Sequence, residues 1–239
     1  VQRKVSLAVG FDAGGRIENI GFCGVPQKVG ETYNFYMFAK SEKPMKLQLI
    51  VGNENDICAE LEIHSVEYQC YRASYTAKKN CKDGKFYLLS PEGGELHIGF
   101  ISLMPAETFR GHGLRRDIAE MLENIHPSFL RFPGGCIVEG FTPSTAMRFK
   151  DTVGPVWERP GHLLMWHYRS FDGMGFHEYL QFCEDIGMEP LYVCNCGITC
   201  QARKEMFMTG QALDEMLQDV LDAIEYAIGT PDTKWGALR

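Results

Sequence analysis

No run of apolar residues in this 239-residue chain approaches the ~18 that a membrane-spanning helix requires, so a membrane is not an expected partner. A signal-peptide pattern and an initiator Met are missing as well, because the chain opens on Val1-Gln2-Arg3-Lys4-Val5. An internal start to the sequence is therefore expected. Localisation is left open among the periplasm, the exterior and the cytoplasm of a bacterium. A clustered basic face is also absent: Lys and Arg total 24 against 31 Asp and Glu, giving a net charge of -7. The pairs Arg115-Arg116 and Arg203-Lys204 are too short to track a phosphate backbone and read as solvated helix ends, which excludes nucleic acid. There is no internal repeat, no low-complexity segment and no tryptophan before residue 150.

A recognisable zinc template is lacking too. Nine cysteines is a high and odd count, but Cys194-Asn195-Cys196 with Cys200 matches no common ligand spacing. Buried free thiols on a strand are the better reading, and no metal-binding residue is expected. Odd parity points to a reducing or anaerobic setting rather than a disulfide framework.

What is present is an ordinary folded composition, 45% hydrophobic and 23% charged, whose patterning changes near Met104–Arg110. Before that point short alternating runs recur: Tyr33–Phe38, Lys46–Val51, Cys58–Ile63, Phe86–Leu89 and Glu95–Ile101. Alternation with a turn about every ten residues predicts an antiparallel β-sandwich over 1–106. Beyond it the period is helical. Leu114, Ile118, Met121, Leu122 and Ile125 share one face; so do Phe176, Tyr179, Leu180, Cys183 and Ile186. A third face holds Leu213, Met216, Leu217, Val220, Leu221, Ile224 and Ile228. Phe129–Phe132 reads as a short buried strand and Pro190–Asn195 as the next one. Helix and strand in alternation predict a parallel α/β arrangement over 107–239, yet two parallel strands cannot close a barrel.

Arg131 stands in the middle of an apolar strand, where a guanidinium is costly without a carboxylate; pairing with a structural acid is one reading and function the other. Arg131 and Asn195 both approach the C-terminal ends of their strands, the ends that carry catalysis in a barrel. The connection from Gly134 to Asp172 is long for a βα loop and reads as a substrate-shaping segment holding Trp157, Trp166 and Tyr168. Glu139, Asp151, Glu158, Asp172, Glu184 and Asp185 are carboxylates of the right type for glycosidic chemistry, but only Glu139 lies near a strand end, and one carboxylate makes no pair.

From about Phe109 onward, motifs occur in a specific order: Gly113-Leu114-Arg115, the LRFPGG of Leu130–Gly135, Val138-Glu139-Gly140, Gly154-Pro155, Glu158-Arg159-Pro160, Tyr179–Asp185, Asn195 and Trp235–Arg239. The series resembles the α-L-arabinofuranosidases of glycoside hydrolase family 51. More weakly, Asn19–Pro26, Val29–Tyr33 and Ser102–Pro105 resemble the carbohydrate-binding-like, jelly-roll sandwich that several members carry ahead of the barrel. The resemblance implies a sandwich followed by the first part of a (β/α)8 TIM barrel, from a retaining enzyme that removes terminal arabinofuranosyl groups from arabinose-containing polysaccharide or oligosaccharide, with no metal or organic cofactor. It implies that Arg131 supports the nucleophilic glutamate and that Cys136, where the family often has Asn, contacts the sugar. Trp166 falls where a family tryptophan walls the sugar subsite, with core packing as the other reading; Asn195 is carried over as a substrate contact. It also implies that nucleophile and acid/base both lie beyond Arg239, so no catalytic residue is named within the chain. A non-catalytic carbohydrate-binding protein is the alternative, and open strand edges could pair with a second copy as a homo-oligomer.

Overall fold

A computed structural model of the chain describes residues 5–52, 56–200 and 206–239. Arg203-Lys204 and the opening four residues lie outside them. The chain divides into two compact units, the first running to Gly111 and the second from His112 to Arg239.

The first unit is an eight-stranded sandwich. Its strands are β1 (Leu7–Phe11), β2 (Gly15–Asn19), β3 (Thr32–Lys40), β4 (Met45–Gly52), β5 (Ile57–Ile63), β6 (Gln69–Thr76), β7 (Lys85–Ser90) and β8 (Gly94–Pro105). They form two antiparallel sheets in the orders β1-β8-β3-β6 and β2-β7-β4-β5, the jelly-roll arrangement. All five alternating runs are strands. Three strands have no counterpart in that reading: β1, β2 and β6. β1 and β2 are edges with few buried positions, so their alternation is faint. Alternate residues point inward, as the period of two requires. Phe35 and Met37 of β3 meet Leu47 and Leu49 of β4 with Leu88 and Leu96 in one buried cluster.

In the second unit, β9 (Phe129–Phe132) and β12 (Glu189–Tyr192) form a parallel two-stranded sheet, with Arg131 opposite Leu191 and Phe132 opposite Tyr192. The crossover between them holds the short helix α2 (Gly135–Glu139), the hairpin β10 (His162–Leu163) with β11 (Arg169–Ser170), and helix α3 (Phe176–Ile186). Helix α1 (Arg116–Glu123) precedes β9, and α4 (Gln211–Ile228) follows β12. Phe132 turns toward α3 and stacks on Tyr179, ring centroids 4.7 Å apart. Gly187 ends α3 in the left-handed conformation, φ 73°, as its place in the sequence predicts.

One expectation needs correction, and two helix faces that the periodicity identifies are left uncovered. The strand Phe129–Phe132 is not buried throughout: Phe132 is, but Arg131 is exposed and Phe129 is 59% exposed, because only the face toward α3 is covered. The apolar face of α1 is likewise exposed at Ile118, Met121, Leu122 and Ile125. In α4 the predicted face is exposed at Leu217, Leu221, Ile224 and Ile228, while Met216, Asp219, Asp222, Ala223 and Tyr226 are buried.

Candidate active-site wall

β9 and β12 run parallel, so their C-terminal ends lie side by side and present the segments that follow them to the same region. After β9 the chain turns through Pro133 and Gly134. Gly134 has φ 116°, which disfavours any side chain, and a Cβ there would stand 3.7 Å from Nη1 of Arg131. The guanidinium is therefore close to the turn. Among the described residues no carboxylate pairs with Arg131, although it is exposed on the open face of the sheet beside Leu191.

Asn195 lies beyond the end of β12. Its Nδ2 donates to the Val138 carbonyl at 2.7 Å, and its Oδ1 accepts from the N–H groups of Gly197 and Ile198 at 2.8 and 3.1 Å. The amide thus braces the segment after β12 against α2. The Cys200 N–H adds a second brace by donating to the Gly140 carbonyl at 3.0 Å. Gly140 has φ 67°, and a Cβ on it would meet backbone of Ala146 at 2.5 Å, so the close passage there requires glycine.

Cys136, the second residue of α2, is exposed, and its sulfur lies 3.7 Å from that of Cys200. Hydrogen bonding with Cys200, some burial and the nearby Glu139 charge push the Cys136 thiol above its ordinary value. The position presents a neutral thiol to solvent at neutral pH. Cys194 and Cys196 are exposed and follow the strand rather than forming part of it, so the reading of buried strand thiols holds only for the burial of Cys200.

The segment 134–172 is built rather than loose. Arg159, only 3% exposed, anchors it: the guanidinium donates to the carbonyls of Gly154 and Asp172 and forms a two-bond pair with Glu178 of α3 at 2.6 and 3.0 Å. Asp172 is buried, accepting from Ser170 at 2.7 Å and lying 3.0 Å from Nδ1 of His162. Arg148 and Lys150 reach α4, where Arg148 bonds Asp219 and Lys150 bonds both Asp219 and Asp222. Trp166 sits at the tip of the β10–β11 hairpin, 49% exposed and stacked on Tyr168 with centroids 6.5 Å apart. Within this chain the indole is therefore not packed into a core. The tip reaches the residues after α2 through His167, whose ring is 6.0 Å from that of Phe141.

Other carboxylates of the right type are engaged elsewhere. Asp185 bonds His112 at 2.8 Å and Glu184 bonds Arg239. Glu139 faces the two thiols of Cys136 and Cys200. The wall therefore carries a cation, a thiol and an exposed indole. The pairing of α2 with the segment after β12 was invisible to sequence reasoning because its partners are remote in the chain.

Residues 121–239 match the family model described as the alpha-L-arabinofuranosidase 1 domain. Alpha-L-arabinofuranosidase 1 of Arabidopsis thaliana is 34% identical over 93% of this chain, which covers 34% of that protein. The extracellular exo-alpha-L-arabinofuranosidase of Streptomyces chartreusis is 32% identical over 95% of this chain, covering 29% of its own length. A solved structure of an arabinose-bound family GH51 α-L-arabinofuranosidase superposes with a TM-score of 0.88 at 28% identity, covering 98% of this chain and 40% of that one. The chain thus spans about a third of the length of the curated relatives it matches. With the ordered motifs in place along β9, α2, α3 and the segment after β12, this chain belongs to the α-L-arabinofuranosidase family of glycoside hydrolases.

Proposed function

We propose that this chain supplies one wall of the active site of a retaining α-L-arabinofuranosidase, acting on terminal arabinofuranosyl groups of an arabinose-containing polysaccharide or oligosaccharide. In this reading β9 and β12 are neighbouring strands of a (β/α)8 barrel, and the jelly-roll is a carbohydrate-binding-like module ahead of it. Both edges of the two-stranded sheet and the apolar faces of α1 and α4 are then surfaces that a barrel would cover. The observation that carries the proposal is Arg131: an exposed cation at a strand end, without a carboxylate among the described residues. A guanidinium within a few ångströms of a glutamate favours its ionised form, which is what a nucleophile attacking an anomeric carbon requires.

A retaining mechanism needs two carboxyl groups about 5–5.5 Å apart, one ionised to attack and one protonated to assist departure. The proposal places both in the part of the relatives' length that this chain does not span. Trp166, exposed on its hairpin, would offer an apolar face to the sugar ring.

The test is a graft of this chain into the Arabidopsis relative in place of the matching segment. The 239-residue chain alone is expected to turn over no aryl α-L-arabinofuranoside, whereas the graft releases arabinose. Arg131→Gln in the graft should lower kcat by about two orders of magnitude, the scale of losing one preorganised electrostatic partner. Turnover by the isolated chain, or a graft indifferent to Arg131→Gln, would refute the proposal.

A further inference from the structure

Cys136 and Glu139 lie three residues apart on α2, a spacing that places two side chains on the same helical face. Cys200, 64 residues further on, is carried to that face by its own N–H bond to Gly140 and by the Asn195 bond to Val138. The ligand atoms of Cys136, Glu139 and Cys200 all lie within 4.8 Å of one another. Two sulfurs bound to one tetrahedral zinc at ~2.3 Å each stand about 3.8 Å apart. The observed separation is 3.7 Å. It is far too long for a disulfide, whose sulfurs are ~2.05 Å apart.

We propose that Cys136, Glu139 and Cys200 bind a thiophilic divalent cation of the Zn2+ class, with the fourth tetrahedral position open. On binding, each thiol loses its proton to solvent and a sulfur–metal bond replaces it, so two protons leave per cation. The set then contributes two thiolates and one carboxylate against a double positive charge, which leaves the open position suited to water or another neutral ligand. Cys200 is 2% exposed, and a buried thiolate is stabilised by a cation that shares its surroundings. Cys136 is exposed, which gives the ion a path from solvent. The inference does not depend on which glycoside the protein acts on.

The test uses the full chain, kept reduced by a phosphine, and titrated with Co2+ and then Zn2+. One equivalent of Co2+ should bind with a thiolate-to-cobalt charge-transfer band, and Zn2+ should displace it. Cys136→Ser, at an exposed position, should roughly halve the band at saturating Co2+, because the Cys200 thiolate remains, and weaken Zn2+ binding by about two orders of magnitude. Glu139→Gln should keep the band and weaken binding about tenfold. A double variant, Cys194→Ser with Cys196→Ser, should bind as the parent does. The inference is overturned by a reduced chain that takes up neither metal. It is equally overturned by a band that Cys136→Ser leaves undiminished or that disappears with the Cys194 and Cys196 substitutions, or by a chain that forms a Cys136–Cys200 disulfide in air and retains no metal.

Discussion

Arg159 holds the crossover of the second unit together. Its guanidinium is buried, paired with Glu178 and bonded to the carbonyls of Gly154 and Asp172, while Glu178 also accepts from the Gly175 N–H at the start of α3. Removing the cation would leave an acid and several carbonyls without their donor in a desolvated place. Arg159→Met should therefore cost about 3–5 kcal/mol, the range for breaking one side of a buried pair. Arg159→Lys should recover little, since a point charge cannot reproduce the fork. Chemical denaturation followed by tryptophan fluorescence measures this directly, because all three tryptophans lie in the second unit. A midpoint unchanged in the Met variant would contradict the role assigned to Arg159. The sequence marked Glu158-Arg159-Pro160 as a motif but gave no hint that its arginine is an internal strut, because the partner acid lies 19 residues away. Arg131 was conspicuous in the sequence as a cation inside an apolar strand, but the structure leaves it exposed, so the burial that drew attention to it does not occur within this chain.

At the scale of elements, α4 exists where its periodicity predicts, but it is turned with its polar stripe inward. Asp219 and Asp222 are buried because Arg148 and Lys150 neutralise them from the crossover, and Met216, Ala223 and Tyr226 fill the space between. Helical period identifies a face without saying which face meets the protein; that depends on what the other segments offer. Substitution separates the two faces. Leu221, 60% exposed, should tolerate lysine within about 0.5 kcal/mol, whereas Tyr226→Ala should cost about 3–5 kcal/mol. If Leu221→Lys destabilised the second unit as much as Tyr226→Ala, the orientation of α4 described above would be wrong. α1 shows the same inversion on a smaller scale, with Ala119 its one buried residue.

At the scale of the molecule, the acid behaviour of the second unit should follow Asp222. Burial alone would raise its carboxyl, but hydrogen bonds from Lys150 and Gln218 outweigh it and hold the group below its ordinary value. An unfolded chain has this carboxyl near 3.9 and takes up the proton first as pH falls. The stabilisation is thus complete above that value and is lost as pH drops through the depressed folded value. Urea midpoints read by tryptophan fluorescence should decline between pH 5 and pH 3, and Asp222→Asn should flatten the decline. Trp235 is well placed to report it, lying 5.4 Å from the ammonium of Lys150. A decline unaltered by Asp222→Asn would assign the acid sensitivity elsewhere.

The sequence by itself determined the sandwich, the helices and the membership of the family, because each rests on local periodicity or on motifs contiguous in the chain. Period two in the first hundred residues specifies strands whichever sheet they join, and the LRFPGG segment identifies β9 without knowledge of its neighbour. Only the tertiary structure decided which helix faces are covered, that Asn195 braces α2, and that Cys136 and Cys200 come together with Glu139. Those outcomes depend on which distant groups share a volume and satisfy one another's charges and hydrogen bonds. No window along the chain contains that information.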